Sequence, residues 1–165
     1  MVMGNTKTDA LLYLDFDGVL HDADVYTSPT RGIYMNTPNR RLFEWMPILE
    51  CLLAPYSDIG IVLSTSWTLS IGQDEALKYL SPELQRRVVG ITYDSKEMSK
   101  LDFAGNYRGV QVVCDVFRRK PTRWIAIDDD AEGWPKQFDA HLIQTNPRLG
   151  LNCPVVQERI SAWLD

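Results

Sequence analysis

The sequence predicts a three-layer α/β/α fold, with a mainly parallel five-stranded sheet between two helical layers. Three observations predict it. Short apolar runs rich in strand-forming residues occur at 11–14, 58–63, 88–92, 124–127 and 141–144, a length suited to strands buried on both faces. Segments with helical spacing lie between them, so strands and helices alternate along the chain. Three of the five runs end directly in polar, reactive side chains, as strands do where a parallel sheet delivers chemistry.

The composition fits one such domain. The chain has 165 residues, 45% of them hydrophobic and 24% charged, ordinary values for a protein with one good core, and residues 1–165 are expected to form a single domain. No run approaches the length of a membrane span, and residues 1–9 are polar with no apolar segment and cleavage site. A cytoplasmic protein is the expectation. Cys51, Cys114 and Cys153 are odd in number, far apart and set in apolar contexts, which suggests buried thiols and neither a disulfide framework nor a zinc cluster. The net charge of −5 argues against broad electrostatic adhesion to nucleic acid or to an anionic membrane, while leaving room for a local basic patch.

The first strand leads into Leu14-Asp15-Phe16-Asp17-Gly18-Val19-Leu20. Residues two apart on a strand share a face at a separation of roughly 7 Å, so Asp15 and Asp17 can flank one small group. Gly18 lets the chain turn away at once. Residues 21–36 mix Asp, Ser, Pro, Thr, Arg and Gly without helical periodicity and read as an irregular flap. From Pro38 the spacing of Leu42, Phe43, Trp45, Met46, Ile48, Leu49, Leu52 and Leu53 predicts a helix ending before Pro55, with a kink at Pro47. The second strand, 58–63, runs into Ser64-Thr65-Ser66-Trp67. Short helices are expected at 74–80 and 82–87, a third strand at 88–92, and a loop over 93–107. Residues 110–117 read as a helix closed by Arg118-Arg119-Lys120, where cations favour the helix dipole, and stopped by Pro121. The fourth strand, 124–127, enters Asp128-Asp129-Asp130, the fifth covers 141–144, and 154–164 is a closing helix.

In an open parallel sheet the ligand site lies beyond the carboxyl ends of the strands. Asp15 and Asp17, Ser64 and Thr65, and Asp128 to Asp130 therefore meet at one edge. Carboxylates held about 4 Å apart repel by about 4 kcal/mol per pair at an effective dielectric of about 20. A cation must offset this, and an all-oxygen donor set without Cys or His points to magnesium rather than zinc. Two basic residues bracket the helix at 110–117. A helix that follows a strand begins at the site edge, which places Arg108 at the site and Lys120 at the far edge.

In order, Asp15-Phe16-Asp17-Gly18-Val19, Ile61-Val62-Leu63-Ser64, Arg108-Gly109-Val110 and Ile125-Ala126-Ile127-Asp128-Asp129 resemble the four motifs of the haloacid dehalogenase (HAD) superfamily, whose fold is Rossmann-like. The wording Leu14-Asp15-Phe16-Asp17-Gly18-Val19-Leu20-His21 and Leu63-Ser64-Thr65-Ser66-Trp67 is similar to that of the phosphatase domains of Swiss Army Knife RNA repair proteins. Two positions depart from the pattern: Arg108 stands where most of the superfamily has lysine, and Thr68 where relatives often have arginine. The resemblance implies a magnesium-dependent phosphomonoesterase. Asp15 would attack phosphorus and become an aspartyl phosphate, and Asp17 would protonate the leaving oxygen and then deprotonate water. Magnesium would be held by Asp15, the main-chain carbonyl of Asp17, Asp128 and, through water, Asp129. Ser64 would donate a hydrogen bond to the phosphoryl group and Arg108 would supply charge.

Neither interval that carries a cap domain in superfamily members acting on small metabolites is long enough for a large one here. An open site suits nucleic-acid ends, nucleotides or phosphoproteins, and Arg31, Arg40 and Arg41 are candidate grips on a phosphate backbone or plain surface charges. Alternatives are a phosphatase of phosphoproteins or small metabolites, a metal-dependent nuclease, and a non-catalytic module that binds metal or phosphate. His21 either touches substrate or anchors the flap. Trp67 is expected to pack the loop after Ser64, Trp45, Trp124 and Trp163 to lie in the core, and Trp134 to pack or to stack on a base.

Overall fold

The computed structural model describes residues 9–165. The polar N-terminal stretch, Asp9 apart, lies outside the described residues. Five strands form one all-parallel sheet: β1 (Ala10–Leu14), β4 (Ile59–Leu63), β5 (Val88–Ile91), β6 (Arg123–Asp128) and β7 (Leu142–Gln144), in the order β5-β4-β1-β6-β7. β1 is central and wholly buried, and its side chains divide between two cores. Ala10, Leu12 and Leu14 face Leu49 and Leu53 of α1 (Met46–Leu53) and Ile160 and Leu164 of α7 (Pro154–Leu164). Leu11 and Tyr13 face Val112 and Val113 of α6 (Arg108–Arg119) together with Trp134. Helices therefore cover both faces, which is why the strands read as continuous apolar runs. Each leucine of this set contributes roughly 1.5–3 kcal/mol by leaving water.

Register brings the site together. Leu14 lies opposite Leu63 on one side and Ile127 on the other, so β1, β4 and β6 end at the same level.

Several expectations are corrected. The segment 21–36 is not irregular: β2 (Val25–Ser28) and β3 (Gly32–Met35) form an antiparallel hairpin, seated on the core through Val25 and Ile33. The helix expected from Pro38 begins only at Met46, and Pro47 lies in its first turn, where a missing N–H costs nothing, so it makes no kink. The stretch 93–107 holds a short helix, α5 (Lys100–Ala104), capped by Ser99 Oγ accepting from the Asp102 amide at 3.1 Å. The helices expected at 74–80 and 82–87 are present as α3 (Gln73–Leu77) and α4 (Pro82–Arg87), and a further short helix, α2 (Trp67–Ser70), precedes them. The helix expected at 110–117 is longer, starting at Arg108 itself, and His141 closes a 3-10 turn before β7. None of the cysteines is fully buried, and Cys51 is exposed. Trp45 and Trp124 are buried as expected, but Trp163 is half-buried, with the Arg123 guanidinium 4.7 Å from its ring. No helix among the described residues is long and apolar enough to cross a membrane.

Candidate active site

Asp15 is the first residue past β1, and its amide donates to the Ile127 carbonyl at 3.2 Å. The Ser64 amide donates to Leu14 O at 3.0 Å, and the Thr145 amide to Asp128 O at 3.0 Å. These bonds extend the sheet by one residue and bring the polar residues after β1, β4, β6 and β7 to one edge. Carboxylate oxygens of Asp15, Asp128 and Asp129 lie within 4.8 Å of one another. Asp15 and Asp128 are 4% and 1% exposed, so water does little to screen them.

Among the described residues, one cation faces this cluster. Arg108 Nη1 lies 3.0 Å from Asp15 Oδ1 and 2.9 Å from Asp128 Oδ2. The Asp130 amide donates to the other oxygen of Asp128 at 3.0 Å. Burial, and then the charge of Asp15, holds the Asp128 carboxyl well above the usual carboxylate range. The same causes, in the same order, push Asp129 up to about 7. Burial works against the Arg108 charge, but Asp15 and Asp128 more than offset it and raise its pKa above the ordinary guanidinium value. With all three carboxylates ionised, one guanidinium would leave two negative charges without a partner, and the raised values of Asp128 and Asp129 reflect burial and that repulsion. An all-oxygen set with that excess fits a hard divalent cation.

Arg108 is placed by its neighbours. The Trp134 ring covers Gly109, where a Cβ would come within 2.7 Å of it, and the Tyr107 ring lies against Gly133. Trp134 is thereby 8% exposed with its Nε1 donating to Phe138 O at 3.1 Å, which removes it as a stacking platform. Lys120 ends α6 in the left-handed conformation, with its amide bonded to Val116 O. A rise of about 1.5 Å per residue puts it some ~18 Å along the axis from Arg108.

The turn after β1 is equally specific. Gly18 has a φ of +75°, and a Cβ there would stand 2.5 Å from Asp129 Oδ2. Its carbonyl accepts from Thr145 Oγ1 at 2.7 Å. Asp17 is outside the carboxylate cluster: its Oδ1 is 2.8 Å from His21 Nε2 and accepts from Trp67 Nε1 at 3.0 Å. Ser64 Oγ is buried without a hydrogen-bond partner among the described residues. A buried hydroxyl left so costs about 1–3 kcal/mol, which a ligand oxygen would recover.

A groove of ≈ 330 Å³ borders Arg108, lined among others by Thr65, Ser66, Phe103, Tyr107 and Asp130. Arg31, Arg40 and Arg41 make no ion pair to the acidic centre; Arg31 lies over the Tyr34 ring at 3.8 Å and Arg40 pairs with Glu44 at 3.6 Å. Sequence reasoning named His21 and Trp67 but did not link them to Asp17. It missed Thr145, although a polar residue directly after the fifth strand was the signal used for the other three.

No curated protein and no solved structure matches the chain. A family model, described as the HAD domain in Swiss Army Knife RNA repair proteins, matches residues 11–156. That span contains every side chain of the acidic centre together with Asp17 and Ser64, and the chain belongs to this family of HAD domains.

Proposed function

We propose that the chain is a magnesium-dependent phosphomonoesterase that works through an aspartyl phosphate and acts on nucleic-acid ends or nucleotides. The observation that carries this reading is the unbalanced charge at the sheet edge: among the described residues, Asp15, Asp128 and Asp129 face Arg108 alone, beside the unpartnered hydroxyl of Ser64. Asp15, Asp128, the main-chain carbonyl of Asp17 and, through water, Asp129 would hold magnesium. The ion, when bound, supplies neutralisation of the charge on the phosphoryl oxygens.

The chain's own residues do the rest. Asp15 attacks phosphorus from its place just past β1, with a carboxylate oxygen oriented by Arg108. Asp17, outside the cluster, gives a proton to the leaving oxygen and later takes one from water. Ser64 Oγ donates to a non-bridging oxygen, and Arg108 shares its charge between Asp15 and the transferring group. The hairpin that follows the first motif has two four-residue strands, and the helix that borders the groove has five residues, both too small to seal the site. An open site supports a large substrate, and the family's description as a domain of RNA repair proteins supports a nucleic-acid end.

The test is hydrolysis of p-nitrophenyl phosphate with and without magnesium, beside Asp15→Asn, followed by 3′- and 5′-phosphorylated oligonucleotides. Magnesium-dependent turnover abolished by Asp15→Asn, with preference for one oligonucleotide end, is the expected result. Absence of turnover in a folded, magnesium-binding protein would point instead to a binding module.

A further inference from the structure

We propose that His21 and Trp67 are positioning residues that together hold one oxygen of Asp17, so that its proton can sit only on the other, Oδ2, and pass from there to the leaving group. This deepens the phosphatase reading above and rests on it.

The hydrogen-bond directions follow from the geometry. The Phe43 amide donates to His21 Nδ1 at 3.0 Å, and a main-chain N–H can only donate. Nδ1 therefore carries no hydrogen, and the hydrogen of the neutral ring is on Nε2. Nε2 then donates to Asp17 Oδ1 at 2.8 Å, and the indole Nε1–H of Trp67, a donor only, reaches the same oxygen at 3.0 Å. An oxygen that accepts from two N–H donors has no room for a proton of its own. Asp17 Oδ2 makes no hydrogen bond among the described residues, so the acid's proton has one place to be.

Three features hold the pair. The turn from Asp17 closes with the Gly18 amide donating to His21 O at 2.9 Å, which brings the imidazole back beside the carboxylate. His21 is fully buried, and Phe43, which aims its amide at it, has a φ of +60°, an uncommon conformation for a bulky residue. Phe43 also packs its ring 4.8 Å from His21 and 5.4 Å from Trp67, so one side chain braces both donors. Neither alternative that the sequence offered for His21, substrate contact or a flap anchor, nor the loop packing expected of Trp67, requires that both donors converge on a single carboxylate oxygen.

In the first half-reaction a carboxylate oxygen of Asp15 bonds to phosphorus, the bond from phosphorus to the ester oxygen breaks, and the proton on Asp17 Oδ2 passes to that oxygen. In the second, a water oxygen bonds to phosphorus, the Asp15–phosphorus bond breaks, and a water proton passes to Oδ2. Both transfers use the same unanchored oxygen.

The experiment measures kcat/KM on p-nitrophenyl, phenyl and benzyl phosphate, whose leaving groups need protonation to an increasing degree. Trp67→Phe keeps an aromatic ring and removes the N–H. His21→Asn keeps an acceptor for the Phe43 amide and removes the donor to Asp17, and His21→Gln restores a donor near the position of Nε2. General acid catalysis contributes about 10²–10⁴-fold, so Trp67→Phe and His21→Asn are expected to lose about tenfold to 100-fold on benzyl phosphate. The loss should be smaller on phenyl phosphate and smallest on p-nitrophenyl phosphate, with His21→Gln recovering most of it. A uniform fall across the three esters, or none, in an active parent would overturn the proposal, and either donor variant alone is enough to decide it. A parent inactive on all three esters would overturn the phosphatase reading itself, and this inference with it.

Discussion

Helix α6 carries a buried ion cluster toward each end, and the two are built in opposite ways. Toward its C-terminus one carboxylate, Asp115, is met by Arg118 at 2.8 Å, Arg119 at 2.7 Å and the Tyr13 hydroxyl at 2.8 Å. The arginines go on to the carbonyls of Thr92 and Ile91, fastening the helix to the edge strand β5. Asp94 Oδ2, 3.9 Å from Arg118 Nε, brings the count to two carboxylates for two arginines; burial first, and then Asp115, raises the Tyr13 pKa above the ordinary phenol value, so the hydroxyl stays a donor. At the N-terminus, among the described residues, three carboxylates stand against one guanidinium. A buried cluster that balances itself holds the fold; one that does not could hold a cation. The same helix is thus anchored at one end so that Arg108 can stand in an unsatisfied site at the other.

The sharpest way to break this comparison is Asp15→Asn. It should lower phosphatase turnover by about 10⁴-fold or more, as loss of a nucleophile does, while the metal-free protein melts no lower than the parent because one repelling charge is gone. A thermal melt beside the rate assay reads both. Asp128→Asn comes next. Loss of a proposed ligand should weaken magnesium by about 100-fold in a calorimetric titration, more than loss of an outer partner commonly does. Undiminished affinity would remove Asp128 from the metal set.

At the balanced end the sign inverts. Asp115→Asn leaves Arg118 and Arg119 facing each other and should cost about 3 kcal/mol in urea denaturation, with magnesium affinity little changed. An unchanged midpoint would mean that this cluster is not what fastens α6. The smallest effect concerns pH. Asp129 is held up to about 7 in the fold and returns to about 3.9 when unfolded, so the folded state binds the proton more tightly. Its share of stability is present below about pH 4 and is lost as the pH rises through about 7. The metal-free melting temperature should therefore fall across that window, and saturating magnesium should flatten the slope; a slope unchanged by magnesium would separate Asp129 from the ion.

The strands and the polar residues at their ends were legible because both signals are local. Apolar runs of strand length gave all five strands of the parallel sheet, and Asp15, Ser64 and Asp128 each stand directly after, or at the end of, such a run. The hairpin at residues 25–35 was not legible, since its strands are four residues long and none of their residues is fully buried, which leaves no clear apolar alternation to read. The five residues of α5 span little more than one turn, too few to show a period. Pro47 was misread because its meaning depends on where the helix begins, and that is decided by how residues 38–45 pack.

By itself the sequence determined the layered α/β architecture, the polar residues at the sheet edge and the family, because periodicity and motif wording are properties of neighbouring residues. Only the tertiary structure decided which charges are balanced and which are not. Trp67 reaches Asp17 from 50 residues away, and Tyr13 reaches Asp115 from 102 residues away. Whether a carboxylate ends among two arginines or among two other carboxylates follows from which elements pack together, and burial then turns that proximity into a fastening or a site.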